Sequence, residues 1–164
     1  MNQNNAMHMH IKFSLLKRLF VSAAASGLLL AGATQAHAQT TPDATLAAAA
    51  KEPGAKVTDS GLVIRMTKEG KGAQPTASST VKVHYKGTFP DGKVFDSSYQ
   101  RGEPIEFPLN GVIKCWTEGV ALMKTGGAAK LTCPSSIAYG ARGSGGTIPP
   151  NATLVFEVEL LGIR

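Results

Sequence analysis

Ile113 to Met123 constrains the fold more than any other stretch, because it is the one good helix candidate among segments that otherwise read as strands. Ile113, Trp116, Val120 and Met123 fall at i, i+3, i+7 and i+10, a single stripe along a helix, and Thr125-Gly126-Gly127 stops it. A lone helix with one apolar face needs a sheet to cover it. Candidate strands are present. Val81–Lys86 alternates apolar and polar residues, and Leu154–Leu160 puts Leu154, Phe156, Val158 and Leu160 on one face. Leu62–Met66, Ile105–Leu109 and Ala128–Cys133 are shorter, and Pro90-Asp91-Gly92 is a turn signal between Phe89 and Val94-Phe95. The expected class is α+β: an antiparallel sheet curled over one short helix.

The folded domain is expected to span residues 57–164, behind a signal peptide over 1–38 and a linker over 39–56. Lys17-Arg18 precede an apolar and small-residue run from Leu19 to Ala33, and Ala36-His37-Ala38 is a small-x-small cleavage signal. The apolar run is shorter than the roughly 20 residues a membrane-spanning helix needs, so cleavage after Ala38 is expected rather than stable membrane insertion. This places the mature protein in the periplasm or outside the cell. Residues 39–56 are rich in Thr and Ala, with Pro42, Pro53 and Gly54. A turn or two of helix over Ala44–Ala50 would be too short to stand alone.

Charge follows the same division. The chain carries 17 basic against 11 acidic residues, but Lys12, Lys17 and Arg18 leave with the signal peptide. The remaining charge is scattered, with no basic run, which argues against nucleic-acid binding. His8, His10 and His37 leave as well, so the mature chain keeps only His84, and a multi-histidine metal site is excluded. Cys115 and Cys133 have no Cys-x-x-Cys spacing. In an oxidising compartment they can form a disulfide; the alternative is two buried thiols.

Among the residues that could carry chemistry, no Gly-x-Ser-x-Gly elbow, phosphate-binding loop or paired-histidine motif is found. His84 falls on the polar side of its strand and reads as a surface residue. What stands out is a set of aromatics spread over the domain: Tyr85, Phe95, Phe107, Trp116, Tyr139 and Phe156. Taken singly, each could be an ordinary core residue.

The words around them narrow this. Val81–Gly87, Asp91–Ser98, Val112–Val120, Ala138-Tyr139-Gly140 and Ile148–Leu160 resemble, in order and spacing, the motifs of the FKBP family of prolyl isomerases. The resemblance implies a half-wrapped, five- or six-stranded antiparallel sheet with a proline pocket between sheet and helix. By position, Tyr85, Phe95, Asp96, Trp116, Tyr139 and Phe156 would be the catalytic set, with Trp116 as the floor under the proline ring. Phe107, Val112, Ile113 and Ile148 would complete the substrate wall, with Arg101 as the partner of Asp96. Ile105 stands where many members carry a second aromatic, and the loop Arg142–Thr147 is Gly-rich and lacks a histidine and an isoleucine found in the human prototype. In the family's fold the strand after the helix runs back beneath it, which would let Cys115 and Cys133 approach.

The implied activity is cis-trans isomerisation of X-Pro bonds during folding of exported proteins, by a monomer that uses no metal or cofactor. Proline-containing polypeptides would be the substrates, and tacrolimus-like macrolides would occupy the same pocket. The alternative is a chaperone or binding module on the same scaffold with incidental isomerase activity.

Overall fold

The structure is a computed structural model that describes residues 42–164; the expected signal peptide and its cleavage point lie outside the described residues. Seven strands form one antiparallel sheet: β1 Ala55–Val57, β2 Val63–Lys68, β3 Thr80–Thr88, β4 Val94–Ser97, β5 Ile105–Pro108, β6 Ala128–Cys133 and β7 Leu154–Ile163. Their order is β1-β2-β6-β7-β3-β4, with β5 also paired to β3. The half-wrapped sheet over a short helix is thus present. Its count passes six because β1 adds an edge strand from a stretch with no strand pattern of its own.

The alternation read from sequence governs the central strands. In β3 the side chains of Val81, Val83 and Tyr85 are buried while Lys82, His84 and Lys86 are half-exposed. In β7 Leu154, Phe156, Val158 and Leu160 all face the core. The β3–β4 hairpin turns at Pro90-Asp91-Gly92, where Gly92 has φ 86° and Asp91 Oδ1 accepts from the Lys93 amide at 2.9 Å.

The main helix, α3, covers Lys114–Ala121. Its predicted stripe faces the sheet: Trp116, Val120 and Met123 are buried in one cluster with Val81, Val83, Leu131, Phe156 and Val158. Gly119 lets it sit close, since a Cβ there would meet the Leu131 methyls at 2.8 and 2.9 Å. The structure pairs Cys115 with Cys133, their Cα atoms 5.9 Å apart and both residues fully buried. The bond ties the first turn of α3 to the last residue of β6.

Residues 42–56, read from sequence as linker, are built into the fold. Pro42–Ala50 is a helix, α1, that packs against β1, β2 and β6. Lys130 and Thr132 of β6 share a groove with α1. By strand alternation they point away from Leu131 and the core, so α1 lies on the outer face of the sheet. Glu52, just beyond α1, accepts from Lys130 Nζ at 2.5 Å and pairs with Arg65 at 2.7 Å.

Candidate active site

A cavity of about 470 Å³ opens between the inner face of the sheet and the start of α3. Its floor is Trp116, only 5% exposed. The indole is boxed by Tyr85 and Phe156, at ring-centroid distances of 5.1 and 5.3 Å and near-perpendicular angles, and by Phe107 at 5.3 Å. Edge-to-face packing suits rings whose faces are electron-rich and whose edges are not. Phe95 stands edge-on to Phe156 at 5.7 Å. It reaches that place only because position 87 is glycine: a Cβ on Gly87 would lie 2.6 Å from the Phe95 ring.

One side of the cavity is polar. The Tyr85 hydroxyl donates to Asp96 Oδ2, Arg101 Nη1 donates to Asp96 Oδ1 at 2.5 Å, and Arg101 Nη2 donates to the Tyr85 oxygen at 2.9 Å. The guanidinium also lies 5.5 Å from the centre of the Tyr85 ring. Partial burial raises the Asp96 pKa, but hydrogen bonds from Tyr85 and Arg101 outweigh it and hold the carboxyl below its usual range. Burial, reinforced by the carboxylate of Asp96, pushes the Tyr85 phenol above its ordinary value. The pair therefore stays charged at Asp96 and protonated at Tyr85 at neutral pH, with Arg101 balancing the charge.

Val112 and Ile113 supply the wall where the chain enters α3, and Tyr139 stands at the rim, 38% exposed. The Tyr139 hydroxyl makes no hydrogen bond among the described residues, which leaves it open to a ligand. Thus Tyr85, Phe95, Asp96, Phe107, Val112, Ile113, Trp116, Tyr139 and Phe156 converge, although they come from six separate stretches of chain. Two expected residues do not line the cavity. Arg101 stands behind Asp96 and acts on the wall rather than forming it. Ile148 is 6% exposed and joins the core, held there by a tight hairpin in which Ser144 and Ile148 exchange backbone bonds of 2.9 Å.

Ile105 lines the cavity in the place where many family members carry a second aromatic, two residues before Phe107 on the same face of its strand. Gly111 lines it as well. Gly111 carries no side-chain signal. Among the described residues no group of three or more His, Cys, Asp or Glu could hold a metal ion.

Comparison with known proteins settles the family. Residues 71–161 match the profile of the FKBP-type peptidyl-prolyl cis-trans isomerases. The chain belongs to this family. Among its relatives is the FKBP-type isomerase FkpA of Aeromonas hydrophila, 58% identical over 119 residues, which are 73% of this chain and 44% of that protein. FK506-binding protein 1 of Dictyostelium discoideum is 57% identical over 106 residues, 63% of this chain and 99% of the relative. The crystal structure of Escherichia coli FkpA superposes with a TM-score of 0.73 at 51% identity, covering 75% of this chain and 57% of that one. The chain therefore spans about half the length of the FkpA relatives it matches.

Proposed function

We propose that this FKBP domain is an exported, monomeric peptidyl-prolyl cis-trans isomerase acting on X-Pro bonds of proteins folding outside the cytoplasm. The observation that carries this reading is the cavity itself: an aromatic box over Trp116 with a single, charge-balanced polar edge. That inventory suits a reaction in which no covalent bond breaks. An amide bond resists rotation by ~18–20 kcal/mol because planarity allows charge-separated resonance, which water stabilises. Removing water from the amide favours the twisted form, which has lost that resonance. Catalysis then consists of holding the twisted form better than either planar one. Apolar rings grip the proline, while the free Tyr139 hydroxyl at the rim is available to the substrate carbonyl. Neither a general base nor a nucleophile is required.

Export is supported by the signal sequence and by the Cys115–Cys133 bond, which an oxidising compartment preserves. Tacrolimus-like macrolides, whose bulk is largely apolar, should fill the same cavity. A protease-coupled assay on Ala-Pro and Leu-Pro peptides, with and without macrolide, tests both statements. Turnover abolished by macrolide is expected. Tight binding of unfolded polypeptide without turnover would instead make the domain a binding module.

A further inference from the structure

The edge of β3 opposite β7 is shared by two partners. β5 pairs with Thr80 to Val83, and β4 pairs with Lys86 to Thr88. Between them the chain leaves the sheet as the one-turn helix α2, Ser98–Arg101, and no strand residue faces His84 and Tyr85 on that edge. A buried, unpaired backbone amide and carbonyl would cost heavily at this point.

The Ser98 hydroxyl fills the gap. It is fully buried, accepts from the Tyr85 amide at 2.8 Å and lies 3.2 Å from the Tyr85 carbonyl oxygen. His84 Nδ1 lies 2.9 Å from the Ser98 hydroxyl oxygen, and its ring stacks on Tyr99 at 4.5 Å. With the Nδ1 proton donated to Ser98 and the Ser98 proton donated to Tyr85, all three bonds are satisfied at once. One turn further along α2, Arg101 bends back to the hydroxyl of the same Tyr85 and to Asp96. Tyr85 is therefore held at both ends by one four-residue helix, at its backbone by Ser98 and at its phenol by Arg101.

We propose that Ser98 is a positioning residue for the isomerase site, fixing the Tyr85 backbone and the start of α2 so that Arg101 meets Asp96 and the Tyr85 phenol. The proposal rests on the isomerase reading, and Ser98 itself does not line the cavity. Replacing it should disturb the polar edge while sparing the apolar floor. Ground-state binding to Trp116, Phe107 and Phe156 should persist.

The test compares Ser98→Ala with the unaltered protein, alone and in an Arg101→Ala background. Expected is a fall in kcat of about five- to tenfold with KM changed by less than about twofold, and a rise in the Asp96 pKa followed by NMR. In the Arg101→Ala background the same substitution should change kcat by less than about twofold, because the partner it acts through is gone. An unchanged kcat, an unmoved Asp96 titration, or an equal loss in both backgrounds would each overturn the proposal. Should Ser98→Ala fail to fold, Ser98→Cys keeps a weaker hydrogen-bonding group in place. An intermediate kcat there supports the role and an unaltered one overturns it. Absence of turnover in the unaltered protein would count against the isomerase reading, and the Asp96 titration would still judge Ser98.

Discussion

Trp116 is the residue on which most of the site depends, because three other rings pack against it and it is the chain's only tryptophan. Trp116→Ala would leave a cavity costing about 3–5 kcal/mol, so a loss of activity could simply report unfolding. Trp116→Leu keeps an apolar floor and is the sharper variant: kcat/KM should fall while the circular dichroism spectrum is retained. Unchanged kcat/KM would remove the tryptophan from the site. At the rim, Tyr139→Phe deletes a hydroxyl with no partner among the described residues, so stability should hold while macrolide affinity drops by about 1 kcal/mol, the net worth of one hydrogen bond. Asp96 and Tyr85, the two groups of the polar edge that bracket neutral pH, predict the pH behaviour. The Asp96 pKa is depressed, so the carboxylate and its ion pair persist above its ordinary value of 3.8 and are lost only as pH falls through the lower folded value. Tyr85 is raised above 10.0, so its phenol stays protonated well past neutrality. Both shifts move away from pH 7, and kcat/KM measured from about pH 6 to 8 should be flat; a bell-shaped profile would instead point to proton transfer in catalysis.

At the scale of elements, α3 and the strands around it were legible because their patterns are local. The stripe Ile113, Trp116, Val120, Met123 and the alternation in Val81–Lys86 and Leu154–Leu160 each sit within a dozen residues, and packing enforced what they implied. Most of the site was legible for the same reason, since its aromatics are embedded in recognisable words. Ile148 was not. Its direction is set by the Ser144–Ile148 hairpin, whose glycines at positive φ give no residue-level sign of which way the next side chain turns. The Cys115–Cys133 bond depended on a contact between α3 and β6 that no spacing rule supplies. Closing an 18-residue separation, it should stabilise the fold by roughly 3 kcal/mol, chiefly by restricting the unfolded chain. Reduction under denaturant, or the double Cys115→Ser, Cys133→Ser variant, should lower Tm by roughly 10 °C while leaving most activity at 25 °C. Two alkylated cysteines in unreduced, exported protein would show that the bond does not form there.

At the scale of the molecule, the folded body starts earlier than its sequence suggested. The helix α1 has no apolar stripe, and at nine residues it is too short to be stable by itself. What holds it is distant: Ala49 is buried, β1 pairs with β2, and Glu52 grips Lys130, 78 residues away, together with Arg65. None of this leaves a local signature in an alanine-rich stretch, which is why it read as linker. Deleting residues 42–56 should therefore lower stability by roughly 2 kcal/mol, from lost burial and from Lys130 and Arg65 left without their partner. None of the deleted residues lines the cavity, so kcat/KM per folded molecule should be retained. Acid should loosen the same clasp. The Lys130 hydrogen bond draws the Glu52 pKa below its ordinary 4.5 against the opposing effect of burial. Its contribution is then complete above that value and disappears as pH falls through the lower folded one. Thermal unfolding of the intact and shortened chains at pH 7 and near pH 3 measures both effects together. The stability gap should be wide at neutral pH and narrower in acid. Equal Tm values at pH 7 would mean that α1 only rests on the sheet, and that the domain begins at residue 57 as its sequence alone implied.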